Sequence, residues 1–201
     1  MGSSSPPLLP LLRSQVQGDL LALLYLHPGD EYSLTEAARL IGTSVKTVHA
    51  EASRLVATGF VADRYLGNVR LLRAVTDSIV SKPLTDLLAV TYGPLPVLTD
   101  LLSSADGVLR AFIYGSWAAR YGGEAGPVPN DVDVLVIGTA DLDKLDNVAR
   151  LAEEKLRRPV SIRRVRPEVW DSSDSADPFI GSVRDRPLLE LRLRESERPP
   201  E

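Results

Sequence analysis

Apolar positions along the first third of the chain repeat at helical spacing and are cut by turn residues. Leu20, Leu21, Leu23, Leu24 and Leu26 form one helical face, which the His27-Pro28-Gly29-Asp30 breaker ends. Ser33-Leu34-Thr35-Glu36 has capping-box spacing: the Ser33 hydroxyl can accept from the Glu36 amide while the Glu36 side chain reaches back, predicting a short helix to about Ile41. After Gly42-Thr43, Ser44 can cap a third helix in which Val45, Val48, Ala52, Leu55 and Val56 recur at core spacing until Gly59 stops it. Residues 60–65 and 69–75 then read as two strands around Gly67-Asn68, a two-residue hairpin turn.

The second half mixes periods. Leu84, Leu87 and Leu88 predict one helix, and Leu95, Val97, Leu98, Leu101 and Leu102 another, in an apolar, proline-punctuated segment that reads as a packed helical connector over 77–106. Residues 109–114, 132–137 and 160–165 read as buried strands. A helix over 142–156 turns Leu145, Val148, Ala149, Ala152 and Leu156 inward. The fold class expected is α+β: helices with a hairpin over 14–76, the connector, then an α/β domain with a small mixed sheet over 107–192. The Pro-Pro-Glu end, 193–201, is expected to be a disordered tail, and 171–177 is a Ser/Asp-rich loop.

Composition narrows the chemistry. With no cysteine, disulfides, thiolate metal sites and cysteine nucleophiles are excluded, and two histidines do not make a His-rich zinc site. A net charge of -4 means that any contact with nucleic acid is a local patch. The start lacks a basic region and its apolar run is broken by Pro10, Arg13 and Gln15, unlike a signal peptide; no stretch is long and apolar enough to span a bilayer. The expectation is a soluble, cytoplasmic protein with no membrane partner.

A patch of that kind lies over 42–76, where five basic residues, Lys46, Arg54, Arg64, Arg70 and Arg73, stand against Glu51 and Asp63 for a local charge of +3. With Thr47-Val48, Arg54-Leu55 and Gly59-Phe60-Val61, the segment 14–76 resembles the winged helix-turn-helix domains of bacterial repressors of the ArsR and MarR kind. The resemblance implies that Ser44, Lys46, Thr47 and Ala50 line the recognition helix facing double-stranded DNA, with Arg54 on the same helix. Arg64 and Arg70 in the wing would hold the flanking backbone, and a homodimer would read two half-sites. A winged helix used only for protein contact is the other reading of the same segment, and His49 reads as a helix-surface residue.

Ala111-Phe112-Ile113-Tyr114-Gly115-Ser116 is a strand ending in a Gly-Ser turn, and Asp131-Val132-Asp133-Val134-Leu135-Val136 a strand carrying Asp-x-Asp. Gly115 lets the backbone approach a phosphate, and Ser116 and helix-start amides can donate to phosphate oxygens. Alternate strand residues point to one side, so Asp131 and Asp133 offer paired carboxylates that suit Mg²⁺. The other reading is an ordinary turn and two surface aspartates. Together the motifs resemble the small DNA polymerase β-like nucleotidyltransferase domains of prokaryotes.

That resemblance implies a nucleotide held by Gly115, Ser116 and Arg120, catalytic and metal-binding roles for Asp131 and Asp133, and transfer of a nucleoside monophosphate from an NTP to a hydroxyl with Mg²⁺. Two departures stand out: the Trp117–Asn130 spacer is long, and alignment with the family puts Ser161 where active members carry a third carboxylate. Trp117 is expected either to stack on a base or to be packed, Trp170 to be core or interface, and Arg163 and Arg164 to lie beside the site or to be surface charge. The expected function is a DNA-binding transcriptional regulator whose second domain binds a nucleotide or a partner. Its rivals are an active nucleotidyltransferase modifying a protein, nucleic acid or small molecule, as toxin–antitoxin and antibiotic-modifying relatives do, and an interaction module with both functions lost.

Overall fold

The computed structural model describes residues 12–172 and 178–193. The tail expected over 193–201 therefore falls, from 194 onward, outside the described residues, as do 173–177 of the Ser/Asp-rich loop and the first eleven residues. The protein is mixed α+β and divides into two compact units, Met1–Gly93 and Pro94–Glu201. The division runs through the segment read as one connector, giving a helix to each unit.

The first unit contains α1 (Gln15–Tyr25), β1 (Tyr32–Ser33), α2 (Leu34–Ile41), α3 (Val45–Ala57), β2 (Val61–Leu66), β3 (Val69–Ala74) and α4 (Ser81–Tyr92). Its core is the inner stripe of each helix: Leu20 and Leu24 of α1, Ala37 of α2, and Val48 and Ala52 of α3, with Leu72 of β3. Ser14, Ser33 and Ser44 cap α1, α2 and α3 by accepting from the amides of Gln17, Glu36 and Thr47. Only the Ser33 half of the capping box is made; Ser33 itself lies in β1, opposite Leu71 of β3. The sheet runs β1-β3-β2, and the Tyr25 hydroxyl donates to the carbonyls of Phe60 and Val75, fastening α1 to the open end of the hairpin.

The second unit contains α5 (Pro94–Ser103), β4 (Val108–Tyr114), α6 (Gly115–Tyr121), β5 (Val132–Gly138), α7 (Leu142–Leu156), β6 (Val160–Val165), α8 (Pro167–Asp171), α9 (Pro178–Arg184) and β7 (Leu189–Glu190). The sheet order is β6-β5-β4-β7, with β5 parallel to β6 and antiparallel to β4. Helix α7 is the crossover that lets the parallel pair form. One sheet face buries Phe112, Leu135, Ile137 and Val165 against Trp170, Ile180 and Val183 of α8 and α9. On the opposite face Ala111, Ile113, Val134 and Val136 are also buried. Strand β5 is thus covered on both sides, which explains its unbroken apolar run; Asp133 is its one polar side chain. Trp170 is a core residue, stacked on Phe112 with ring centroids 5.7 Å apart. Among the described residues no helix is long and apolar enough to cross a membrane.

Candidate functional site

The acids and the Gly-Ser turn meet at one end of the β4–β5–β6 sheet. Asp133 pairs across the backbone with Tyr114 on one side and Ser161 on the other, so these three residues form the last row of one sheet face. The chain then turns at Gly115, which has φ +70°, a left-handed conformation that costs a residue with a side chain roughly 1–2 kcal/mol. Its open side faces the acid: a β-carbon there would lie 2.9 Å from Asp133 Oδ2. Ser116 follows, exposed, at the start of the seven-residue α6. The juxtaposition therefore depends on glycine twice, for its backbone angle and for the space it leaves beside a carboxylate.

Asp131 precedes the first paired residue of β5 and is exposed, while Asp133 is half-buried. Burial, and secondarily the charge of Asp131, raises the Asp133 carboxyl above its usual range. Two hard oxygen donors whose charges oppose each other suit a Mg²⁺ ion that takes its other ligands from water and phosphate. Among the described residues no group of three or more His, Cys, Asp or Glu side chains gathers; Asp131 and Asp133 are the two carboxylates that the described residues place here. Ser161, exposed beside Asp133, is neither a metal-ligating acid nor a base.

The remaining sequence candidates separate by strand face and by partner. The Arg120 guanidinium donates to the Gly126 carbonyl at 3.1 Å, bracing the loop between α6 and β5. Of the two roles expected for Trp117 the structure takes the packed one: it is buried, 5.5 Å from the Tyr121 ring. Arg158, which no sequence pattern singled out, is buried with its guanidinium 5.1 Å from the Trp117 ring and donates to the carbonyls of Leu156 and Pro129. Pro129 is two residues before Asp131, so a buried cation ties α6, the start of β6 and the approach to the acids together. Arg164 donates to the Ala140 carbonyl. Arg163, alternating with it, lies on the face of Asp133 and places its guanidinium 3.6 Å from the centre of the Phe179 ring. Phe179 meets Tyr114 edge-on at 5.8 Å. Burial and the charge of Asp133 raise the Tyr114 hydroxyl pKa, and Arg163 lowers it, so all three groups share one neighbourhood.

In the first unit Ser44, Lys46 and Thr47 are exposed at the start of α3, with the Ser44 and Thr47 hydroxyls 2.8 Å apart. Three of the four arginines of the expected basic patch each hold a carboxylate. Arg54 meets Glu51 at 2.9 Å, Arg70 meets Asp63 at 2.6 Å and Ser53 at 3.0 Å, and Arg64 grips Glu31 through Nε and Nη2. Glu31 lies outside the 42–76 window, and adding it reduces the local charge from +3 to +2. The Arg70 side chain is only 10% exposed, so it braces the hairpin against α3.

No protein-family model matches this chain, and no similar curated protein or solved structure was found for it.

Proposed function

We propose that the second unit binds a nucleoside triphosphate with Mg²⁺ in the manner of a DNA polymerase β-like nucleotidyltransferase domain. The first unit, on this reading, is a winged helix, and the chain is a cytoplasmic DNA-binding regulator, working as a homodimer, whose nucleotide site serves as a sensor. The observation that carries the reading is the close approach of turn and acid: at Gly115, with φ +70°, a β-carbon would lie 2.9 Å from Asp133 Oδ2. A phosphate approached by the Gly115–Ser116 backbone and hydroxyl would then stand beside both carboxylates. Asp131 and Asp133 would hold the ion, which neutralises phosphate charge when bound. Ser161 in register with Asp133 favours binding over turnover, because a neutral hydroxyl cannot take the proton of an attacking hydroxyl.

On the DNA side, Ser44, Lys46 and Thr47 would meet the major groove, with phosphate contacts limited by the carboxylates already on Arg54, Arg64 and Arg70. Calorimetry of ATP and GTP with Mg²⁺ on wild type and Asp133→Ala tests the site. Binding that needs both Mg²⁺ and Asp133 supports it, and no heat with any NTP removes it. Labelled-NTP incorporation that disappears in Asp131→Ala and Asp133→Ala would replace the sensor by an active transferase.

A further inference from the structure

We infer that the outer edge of β7 is the surface through which two copies of this chain associate, with Glu190 and Arg192 of each paired to Arg192 and Glu190 of the other. This rests on the homodimer of the reading above and names its surface; the nucleotide and DNA sites do not enter.

Strand β7 ends the sheet order β6-β5-β4-β7, and among the described residues no strand lies beyond it. The Leu191 amide donates inward, to the Ala111 carbonyl at 2.8 Å. Backbone groups of an antiparallel strand alternate in direction, so the N–H and C=O of Glu190, which stands opposite Phe112, and the N–H of Arg192 point away from β4. An edge that presents such groups is a template for another strand. The Leu193 amide turns back to the Leu191 carbonyl at 2.9 Å, so the usable edge runs from Glu190 to Arg192.

Charge decides which strand fits. Leu189-Glu190-Leu191-Arg192-Leu193 reads the same in reverse except that acid and base exchange places. Antiparallel pairing about a two-fold axis at Leu191 therefore sets each Glu190 opposite the second copy's Arg192. Centring the pair on Glu190 or on Arg192 instead sets like charges opposite each other, so one register is selected. Within one chain these charges do not balance. Glu190 is held by Arg110 at 2.7 Å, and the β4–β7 register, continued, carries Arg192 to a place opposite that same Arg110. Two arginines thus share one acid. In the pair, each Glu190 lies between its own Arg110 and the second copy's Arg192, and the row alternates in sign across the seam. The other face of β7 is a leucine row, with Leu189 and Leu193 half-buried and Leu109 of β4, 61% exposed, lining the same groove. A foreign strand would have to bring this pattern reversed; the chain's own strand already does. The edge is short, so the dimer it forms dissociates on dilution.

Sedimentation velocity of the full-length protein over a dilution series reads the association, comparing wild type, Arg192→Glu and the exchange variant Glu190→Arg with Arg192→Glu. The expected result is a reversible dimer in wild type, weakened roughly tenfold to thirtyfold in Arg192→Glu, where acid faces acid at both symmetric pairs. The exchange variant returns to near wild-type association, since its opposite charges face each other again and Arg110 keeps an acid beside it. Circular dichroism establishes that each variant is folded. In wild type, amide hydrogen exchange over 189–193 slows as protein concentration rises. A dimer that Arg192→Glu leaves intact overturns the edge, and the homodimer then stands on another surface. A monomer at every concentration overturns both. Exchange over 189–193 that is indifferent to concentration, or a folded exchange variant no tighter than Arg192→Glu, also overturns the edge.

Discussion

Replacing Gly115 by alanine is the sharpest perturbation of the candidate site, because its effect divides into two parts that a second glycine separates. At φ +70° an alanine pays a left-handed backbone penalty of roughly 1–2 kcal/mol, offset by about 0.4–1 kcal/mol from the stiffer unfolded chain. Its methyl would also lie 2.9 Å from Asp133 Oδ2, inside contact distance, so the carboxylate must retreat by a few tenths of an ångström. Gly123, in the same unit, has φ +93° and nothing within 4 Å of where an alanine methyl would stand, so Gly123→Ala carries the backbone part alone. The expected losses are about 1 kcal/mol for Gly123→Ala and about 2 kcal/mol for Gly115→Ala. At roughly 2–4 °C per kcal/mol for a chain of this size, they appear as unequal falls in Tm. Calorimetry with Mg²⁺ and NTP then reads the contact itself: affinity drops about tenfold in Gly115→Ala, since a displaced ligand is a misplaced one, and stays at wild type in Gly123→Ala. Equal Tm shifts with unchanged nucleotide affinity in both variants would refute the idea that the turn is built around the acid.

Three further outcomes follow from the geometry. Because the folded protein holds the Asp133 proton more tightly than the unfolded chain does, this group's contribution to stability falls as pH rises from its ordinary value of 3.8 through its raised one. Asp133→Asn should therefore be more stable than wild type at pH 8 and no different below pH 3.8, while Mg²⁺-dependent nucleotide binding by wild type weakens as pH falls through the same window; parallel denaturation curves at both pH values would contradict this. Arg158→Met strips the donor from two carbonyls and should cost about 2–4 kcal/mol, with a change in Trp117 emission read in a Trp170→Phe background; unfolding within about 0.5 kcal/mol of wild type would count against the buried cation as a brace. On the DNA side, Glu31→Gln frees Arg64 and should tighten binding, measured by fluorescence anisotropy on the protein's own upstream DNA, whereas Lys46→Ala should lower the salt slope by about one; affinity unmoved by Glu31→Gln would show that Arg64 does not face phosphate.

Periodicity, caps and turn residues alone gave the outline of each unit. The serines that cap α2 and α3, the Gly67-Asn68 hairpin turn, and the strands and helix between residues 132 and 165 are local signals, each decided within a few residues. The Gly115-Ser116 and Asp131-x-Asp133 pair was legible for the same reason, because a polar residue inside an otherwise apolar strand advertises itself. Tertiary structure decided what lay across strands. Register set Ser161 beside Asp133, put Arg163 on that face and sent Arg164 to Ala140, a choice between neighbouring identical residues that only sheet pairing makes. Short strands such as β1 and β7, two residues each, carry too little pattern to be read before their partners are known. Long-range charge pairing was equally hidden: Glu31, outside the 42–76 window, claims Arg64, and a count within that window cannot subtract an acid it does not know to be adjacent. The sequence therefore determined which groups are present and on which element, while folding decided which of them face each other, since that depends on pairings dozens of residues apart.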